Sequence, residues 1–371
     1  MQKLRRHRQR FKGLSVGLDL HNQYTQVSVL DEAGDECRVE RIVSQPQLLG
    51  RLIDQLTAAG SAVQVALEAS GCFLWAYDWL VGRLGREHVH VAAPSKVRVI
   101  AQSQEKTDAN DAWWLAYLLW EGRLPQAFVA EGDLRELRIA SRELRSVIDQ
   151  RSDLMRQMRS HLRQLGLTFA KRDWASVIGH HRIADLVAQT EATHGTRGQV
   201  IARLWTRIEQ MDQQVAHWRD QVKAWSSKFD QIRLMQQQLP GVGPTIAAAV
   251  FAELGDPARY RSAKAYAKAT GLTPGYRESG GRRSKLHITR AGSTHVRWAL
   301  TRAVLACMRC RQGPGLAVQR WVERRSRRQA KKAAMVAAAR KLAEGVWRLF
   351  AWGETFDLAR AFGPPYPKLN V

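Results

Sequence analysis

The stretch LSVGLDLH, residues 14–21, sets the pattern from which the fold can be predicted. Its apolar residues Val16, Leu18 and Leu20 alternate with Gly17 and Asp19, the period-two pattern of a strand with one buried face. Asp19 is therefore expected on the face opposite the three apolar side chains. An acid in the middle of a strand has no helix to cap, so capping does not explain it.

Outward from this strand, the sequence predicts a mixed α/β domain. Strand and helix patterns follow one another at 25–43 (a hairpin around Glu32-Ala33-Gly34), 47–60, 62–70, 73–85, 88–94 and 105–120. A three-stranded meander followed by helix, strand, helix, strand and helix is the order of the ribonuclease-H-like fold, with a mixed five-stranded sheet. Other α/β domains share this order, so it does not identify the fold by itself.

The last of these segments, EKTDANDAWWLAYLLW (105–120), places two acids at the start of an apolar helix. Asp108 and Asp111 lie one turn apart and share a face. Helix capping, with Thr107 as the N-cap, is one explanation. The other explanation is a shared site that also includes Asp19 and Glu68. Glu68 is the acid near the end of the 62–70 strand. Together the four form an ordered set, Asp, Glu, Asp-x-x-Asp, on elements expected to meet at one sheet edge.

Four converging carboxylates would repel one another unless a cation lies between them. Hard oxygen ligands of this kind hold the paired Mg²⁺ ions that activate the attacking oxygen and stabilise the leaving oxygen in phosphodiester chemistry. We therefore predict that Asp19, Glu68, Asp108 and Asp111 bind Mg²⁺, with two ions expected.

The charge balance predicts nucleic acid as a partner. The chain has 58 Lys+Arg and 34 Asp+Glu, a formal net charge of +24. Such an excess favours phosphate backbones, although ribosomal and membrane-surface proteins share it. The opening MQKLRRHRQRFKG (1–13) is expected to be a basic arm on nucleic acid. No apolar run reaches the roughly 18 residues of a membrane span, so we expect a cytoplasmic, nucleoid-associated protein.

Two segments with heptad repeats follow, at 134–165 and 201–232. Their a and d positions are mostly apolar, with Ser141 and Arg151 as breaks in the first segment. The pattern indicates a coiled-coil arm, folded back or dimeric. Two helices packed within one subunit would produce the same pattern.

The third region begins with Pro240-Gly241-Val242-Gly243-Pro244 between two predicted helices. This resembles a helix-hairpin-helix motif, in which glycines allow backbone N–H groups to approach a phosphate, while an ordinary turn is the alternative. We expect TPGYRESGGRRSKLHITRAG (273–292) to be a Gly- and Arg-rich loop, followed by basic helices through 323–342 that contact phosphate. The predicted nucleic-acid-binding residues are Gly241, Gly243, Arg277, Arg282, Arg283, Lys285 and Arg290.

The cysteines predict neither a disulfide framework nor a zinc site. Cys307 and Cys310 form a CxxC with no second pair, and neither His287 nor His295 completes a familiar ligand spacing.

Taken together, these motifs resemble the DEDD-type insertion-sequence transposases, a family of serine-dependent recombinases guided by a bridge RNA. The resemblance covers nearly the whole chain. In order, it is carried by VGLDLH (16–21), ALEASG (66–71), KTDANDAWWLA (106–116), LPGVGPTIAAAV (239–250), GLTPGYRESGG (271–281) and ITRAGSTHVRWAL (288–300). It implies a RuvC-like DEDD domain at 14–125, coiled-coil or linker helices at 126–235, and a mainly helical C-terminal transposase domain at 236–371. It assigns no role to the basic arm at 1–13.

The resemblance also implies roles for individual residues. The family's four acids correspond to Asp19, Glu68, Asp108 and Asp111, and its catalytic serine to Ser279 in RESGG, with Ser284 as the nearest rival. The implied partners are element and target DNA, a bridge RNA, and further copies of the chain in a dimer that pairs into a tetramer. In that assembly the acids of one subunit meet the serine of another.

Two other hypotheses remain at the level of sequence. One is a Holliday-junction resolvase-like two-metal nuclease, with water as the nucleophile and no covalent intermediate. The other is a non-catalytic basic protein that binds RNA or DNA and whose acids only cap and stabilise.

Overall fold

A computed structural model describes residues 11–363, except for residues 59, 95, 98–107, 171–172, 175 and 280–281; for 276–279 and 282–286 it describes the backbone alone. The chain divides into two compact units, Met1–Val129 and Ala130–Val371. Most of the predicted basic arm and the predicted cap Thr107 lie outside the described residues. The finer division into four segments stays a prediction.

Unit 1 is built on a mixed five-stranded sheet with the order β3-β2-β1-β4-β5. The strands are β1 (Leu14–Leu20), β2 (Tyr24–Leu30), β3 (Glu36–Val43), β4 (Val63–Glu68) and β5 (Val89–Ala92). Strand β2 is antiparallel to both of its neighbours, whereas β4 is parallel to β1 and β5. The predicted order of elements and the predicted mixed sheet are confirmed.

The β2–β3 hairpin forms where the sequence predicts it. Its turn is organised by Asp31, whose Oδ1 accepts hydrogen bonds from the backbone N–H groups of Ala33, Gly34 and Asp35. Gly34 has a positive φ of 91°, which favours glycine. The Asp-x-x-Gly turn therefore sets the register of the meander.

Helices cover both faces of the sheet. Helices α1 (Pro46–Thr57) and α2 (Phe73–Leu84) bury one face, where Val16 and Leu18 share a core with Leu52 and Tyr77. Helix α3 (Asp108–Trp120) covers the opposite face. It lies so close to β1 that a Cβ on Gly17 would overlap the Ala112 carbonyl and lie 2.6 Å from the Ala116 amide nitrogen.

Unit 2 contains two long helices that run antiparallel to each other. They are α4 (Gly132–Gln164) and α6 (Gly195–Ser226), with α5 (Val177–Thr193) packed on α6. Lys228, just beyond α6, pairs with Asp133 at the start of α4 (Nζ–Oδ1 2.8 Å). The two helices therefore pack on each other within one chain, and a true coiled coil stays a prediction.

Two polar breaks in the first heptad segment have partners in the structure. Arg151 pairs with Asp212 on α6 (2.7 Å), and the buried Ser141 Oγ hydrogen-bonds His295 Nε2 (2.9 Å). The second segment is interrupted, because α6 ends at Ser226 and the predicted heptad positions Phe229 and Ile232 belong to the next turn and helix. Phe229 has an extended backbone there, which ends the helical repeat.

Shorter helices pack around a common core in the rest of unit 2. They are α7 (Asp230–Gln238), α8 (Pro244–Leu254), α9 (Ala263–Ala269), α10 (Thr294–Cys307), α11 (Pro314–Ser326), α12 (Lys331–Ala351) and α13 (Leu358–Phe362). Helix α8 is central: every residue from Ala247 to Leu254 is buried. Its Ala-rich sequence suits this position, because small side chains allow neighbouring helices to approach from several sides.

The expectation of a loop at 273–292 is wrong. Strands β6 (Pro274–Ser279) and β7 (Arg282–Ile288) pair antiparallel in a two-stranded ribbon, with Ser279 opposite Arg282. The Gly and Arg content of this segment suggested a loop, but a Gly-Gly pair between two short strands is a hairpin signal.

The predicted turn at 240–244 does join two helices, α7 and α8. Gly241 has a φ of 72°, and a Cβ there would lie 2.7 Å from Cys307 Sγ and overlap the Ala303 carbonyl. Close packing against α10 therefore accounts for Gly241, and its role in helix-hairpin-helix phosphate binding stays a prediction.

Of the helices in the described ranges, none has both the length and the apolar character to cross a membrane.

The contact at Gly17 predicts a clear effect of a single methyl group. Gly17→Ala should destabilise the protein by about 1–3 kcal/mol or more, because the added Cβ overlaps the α3 backbone. The free energy of unfolding, measured by urea titration, checks this. The matched control is Gly82→Ala, an exposed position in α2 with no atom within 4 Å of the added Cβ. It should be neutral or stabilising by up to about 1 kcal/mol. Equal stability of the two variants would contradict the packing of α3 on β1.

His295 predicts how the stability of unit 2 depends on pH. Burial lowers the pKa of His295 to about 4, from the ordinary 6.5. Because the unfolded chain then binds a proton that the folded chain excludes, stability should fall as the pH drops from about 6.5 towards 4. Between pH 7 and 5 the expected loss is ~2 kcal/mol. Urea titrations of His295→Gln should lack this loss, whereas His217→Gln, at an exposed site, should retain it. An identical pH dependence in both variants would rule out His295 as the cause.

Candidate functional site

Asp19 lies in β1 on the face that α3 covers. It is 9% exposed and is paired in register with Gln26 of β2. Burial raises the pKa of Asp19; His21 lowers it, and the nearby charges of Asp111 and Asp108 raise it. A buried carboxylate near two others needs a compensating positive charge to remain ionised.

Asp108 is the first residue of α3, and the sheet holds it in place. Tyr24 in β2 donates a hydrogen bond from its hydroxyl to Asp108 Oδ2 (2.8 Å). His21, in the turn after β1, lies 3.0 Å from Asp19 Oδ2 and 3.7 Å from Asp108 Oδ1 through Nε2. A single imidazole thus contacts acids that are 89 positions apart in the sequence.

These three side chains form a group that could hold a metal ion. Asp19, His21 and Asp108 each offer one ligand atom, and the three atoms lie within 4.8 Å of one another. The donors are two carboxylate oxygens and one imidazole nitrogen, a set that divalent cations accept. A divalent cation would also offset the repulsion that raises the pKa of Asp19, so the residues fit such an ion.

Arg41 lies on the solvent-exposed side of this group, next to Asp108. Its guanidinium lies over the Tyr24 ring at 4.2 Å, its Nε donates to Gln26 Oε1 (3.3 Å), and its Nη2 is 3.9 Å from Asp108 Oδ2. The Arg41 side chain is 58% exposed, so its remaining N–H groups face solvent beside the carboxylates. An anionic substrate approaching the acids would meet this charge first.

Glu68 and Asp111 lie close to the group without belonging to it. Leu18 and Leu67 are paired in register between β1 and β4, and Asp19 and Glu68 each follow directly. Glu68 ends β4 half-buried. Asp111 is one turn beyond Asp108, and its charge acts on Asp19. Their roles as metal ligands stay a prediction.

The predicted nucleophile lies in unit 2. Ser279 is the last residue of β6, and Arg277 is paired with Ser284 across the ribbon. Gly280 and Gly281 lie outside the described residues, as do the side chains of Ser279, Arg277, Arg282, Arg283 and Lys285. Arg290, just beyond β7, is exposed.

Sequence reasoning missed three residues of the unit 1 site: His21, Tyr24 and Arg41. A signal for His21 was present, because it lies two positions after Asp19 and a strand pattern continued to it places both on one face. Tyr24 and Arg41 had no such signal, since their contacts with Asp108 depend on the placement of α3.

Comparisons with known proteins match two parts of the chain. Residues 16–166 match a DEDD-type transposase family of IS110 elements, and residues 235–318 match the transposase IS116/IS110/IS902 family. The first match contains Asp19, Glu68, Asp108 and Asp111, and the second contains Ser279.

Individual relatives align along most of the chain. A probable family 20 transposase of Pseudomonas aeruginosa is 25% identical over 91% of this chain and 96% of its own length. The transposase for insertion sequence element IS1111A of Coxiella burnetii is 24% identical over 95% and 94%. A putative transposase of Sinorhizobium fredii, y4pF/y4sB, is 26% identical over 80% and 74%.

The hydrogen bond from Tyr24 predicts a role in metal affinity. Tyr24→Phe removes the donor that orients Asp108, and outer partners of ligating carboxylates typically contribute tenfold or more to affinity. We expect the dissociation constant for Mn²⁺, measured by electron paramagnetic resonance, to rise about tenfold. Tyr260→Phe is the matched control, because it removes a phenol that donates to the Leu254 carbonyl in unit 2. The same Mn²⁺ affinity in both variants would show that Tyr24 does not support the site.

Proposed function

The chain belongs to the DEDD-type insertion-sequence transposases, and from this we infer that it cuts and rejoins element and target DNA with Ser279 as the nucleophile. Ser279 Oγ attacks a strand phosphorus and gives up its proton, while the P–O bond to the leaving strand breaks. The leaving oxygen takes up a proton and departs as a hydroxyl, and the DNA stays esterified to the serine. A hydroxyl of the partner strand then attacks the phosphoserine, which releases Ser279 and rejoins the DNA.

The observation that carries this proposal is the convergence of Asp19, His21 and Asp108 on the sheet of unit 1. We assign Mg²⁺, as two ions, to Asp19, Glu68, Asp108 and Asp111, on a sheet of ribonuclease-H-like, RuvC-like type. When bound, these ions would polarise the phosphate and stabilise the charge of the leaving oxygen. Tyr24 and Arg41 orient Asp108, and Arg41 presents N–H groups to the incoming phosphate.

The position of Ser279 at the end of a strand supports its assignment as the nucleophile. A residue at the tip of a ribbon is reached by a rigid duplex more easily than a residue in a core. Arg277, Arg282, Arg283 and Lys285 follow the same ribbon, and arginine pairs with phosphate through two parallel hydrogen bonds. In this proposal they neutralise the phosphate under attack, while Gly241, Gly243 and Arg290 bind the backbone farther along.

Guidance by a bridge RNA and assembly into a tetramer are part of the same proposal. Both follow from the resemblance to the family, in which the acids of one subunit meet the serine of another. The net charge of +24 favours phosphate backbones as partners, whether DNA, RNA or both. The long antiparallel helices α4 and α6 offer an extended surface for assembly.

The structure also supports a second candidate, a Holliday-junction resolvase-like nuclease. The metal-ligand group lies wholly within unit 1, so two-metal hydrolysis by water would need no residue of unit 2. The third hypothesis, a non-catalytic binding protein, does not fit membership of a transposase family.

Trapping the covalent intermediate tests the proposed function. Purified protein is incubated with Mg²⁺, labelled element-junction DNA and RNA transcribed from the non-coding flank of the element, and separated on a denaturing gel. We expect protein-linked DNA with the parent chain, dependent on the RNA and abolished by EDTA. Ser279→Ala should lose the adduct by at least about a hundredfold, because no other oxygen takes its place.

The matched control is Ser284→Ala, which removes a serine from the opposite strand of the same ribbon and should leave the adduct intact. Cleavage that leaves no adduct and is unchanged in Ser279→Ala would favour the two-metal nuclease over the recombinase. Loss of the adduct in Ser284→Ala alone would identify Ser284 as the nucleophile.

A further inference from the structure

Four arginines of unit 2 lie at the Trp298 ring or at the turn before α10, and we call them the Trp298 arginine cluster: Arg145, Arg290, Arg297 and Arg302. The guanidinium of Arg145, from α4, lies 5.2 Å from the Trp298 ring centroid, and that of Arg302 lies 6.0 Å from it. Arg297 donates from Nη1 to the carbonyls of Arg290 (3.1 Å) and Gly292 (2.6 Å). Residues from three separate segments therefore bring positive charge to one place.

Carboxylates do not balance this charge. Arg145 pairs with Asp149 (3.4 Å), but within the described ranges no carboxylate lies within 4.0 Å of Arg290, Arg297 or Arg302. The nearest buried acid, Glu253, is bound by Arg142 (2.6 Å) and Arg138 (3.2 Å). Burial lowers the pKa of Arg297, and the nearby charges of Arg290 and Arg145 lower it further. Such mutual repulsion is relieved when an anion binds.

Cationic side chains contact the ring of Trp298, so little room is left for a nucleic-acid base to stack on it. His295 stacks on it with ring centroids 5.4 Å apart and an angle of 8°, and Arg145 and Arg302 approach the same ring. Nucleic-acid bases bind to proteins by stacking on free aromatic faces, whereas phosphates bind to guanidinium groups. The chemistry of the cluster therefore suits a phosphate and not a base.

Backbone hydrogen bonds connect the cluster to the ribbon that carries Ser279. Arg290 has a positive φ of 54°, a strained value for a residue other than glycine, and its N–H donates to the Gly271 carbonyl (3.2 Å). Thr289 N–H donates to the Thr273 carbonyl (2.9 Å), which closes the base of the ribbon. A Cβ on Gly292 would overlap the Ala269 carbonyl, so the chain passes too closely there for a larger residue.

We propose that Arg145, Arg290, Arg297 and Arg302 form a phosphate-binding site for DNA that flanks the phosphodiester attacked by Ser279. This site rests on the proposed function. Five residue steps separate Pro274 from Ser279, so at ~3.4 Å per residue the ribbon spans roughly 17 Å. That length corresponds to about five nucleotides along one strand of a duplex. DNA is favoured over RNA because the same ribbon carries the proposed nucleophile for DNA.

The test measures binding of the full chain to a labelled 30-base-pair DNA duplex by fluorescence anisotropy at several salt concentrations, with EDTA present so that no strand is cut. Arg302→Ala should raise the dissociation constant about tenfold and reduce the slope of log K against log salt by about 1, because one phosphate contact is lost. Arg302→Lys, which keeps the charge, should recover most of the binding. In the double variant Arg297→Ala/Arg302→Ala, the slope of log K against log salt should be reduced by about 2.

Arg203→Ala is the matched control. Arg203 is an exposed arginine of α6 that, like Arg302, has no carboxylate within 4.0 Å among the described residues. Its loss lowers the net charge equally and should leave the slope within about 0.3 of the parent value. Thermal unfolding followed by circular dichroism identifies any variant that fails to fold. Arg302→Ala decides the test, because the Arg302 side chain makes no hydrogen bond to the backbone in the described structure.

The outcomes separate this inference from the proposed function. Equal affinities and slopes for Arg302→Ala and Arg203→Ala would overturn the site. A loss seen with an RNA duplex of the same length, and not with DNA, would also overturn it. If no serine-linked adduct is found but Arg302→Ala still weakens DNA binding with the reduced slope, the proposed function fails and the phosphate site stands.

Discussion

The site in unit 1 depends on one steric constraint, the direct contact between the backbone of α3 and Gly17 of β1. Because Gly17 has no side chain, Ala112 and Ala116 of α3 lie against the strand. This contact sets the height of the helix above the sheet and brings Asp108, its first residue, to Asp19 and His21. A side chain at position 17 would lift the helix and separate carboxylates that one ion could otherwise bridge.

The electrostatics of the site follow from this geometry. Asp19 loses water on burial and gains two carboxylate neighbours, and both effects disfavour its charged form. His21 offsets part of that cost, while the hydroxyl of Tyr24 and the guanidinium of Arg41 face Asp108 from the sheet side. Polar groups are therefore already arranged around the acids, so an ion or phosphate that bound there would require little reorganisation of the protein.

Much of this could be predicted from the sequence, wherever the information was local and periodic. The alternation around Asp19 predicted its strand and its face, and the one-turn spacing of Asp108 and Asp111 predicted their shared direction. The polar partners that distant segments supply to particular residues could not be predicted. Tyr24 and Arg41 acquire a role only when α3 is placed, and Ser141 and Arg151 break their heptads because His295 and Asp212 lie opposite them. The Gly and Arg content of residues 273–292 suggested a loop, although the segment forms the two short strands of the ribbon.

We propose that strand β1 and the start of α3 bind a common metal ion, and metal-directed cleavage of the protein can detect such an ion. Fe²⁺ is added to the metal-free protein, and ascorbate with peroxide then generates radicals that cut the backbone next to any bound iron. Two cuts are expected, one near residues 19–21 and one near residues 108–111, identified by mass spectrometry, and both should disappear in Asp19→Asn. Cleavage at only one of these segments, or cleavage at both that persists in Asp19→Asn, would show that the two segments do not form a common site.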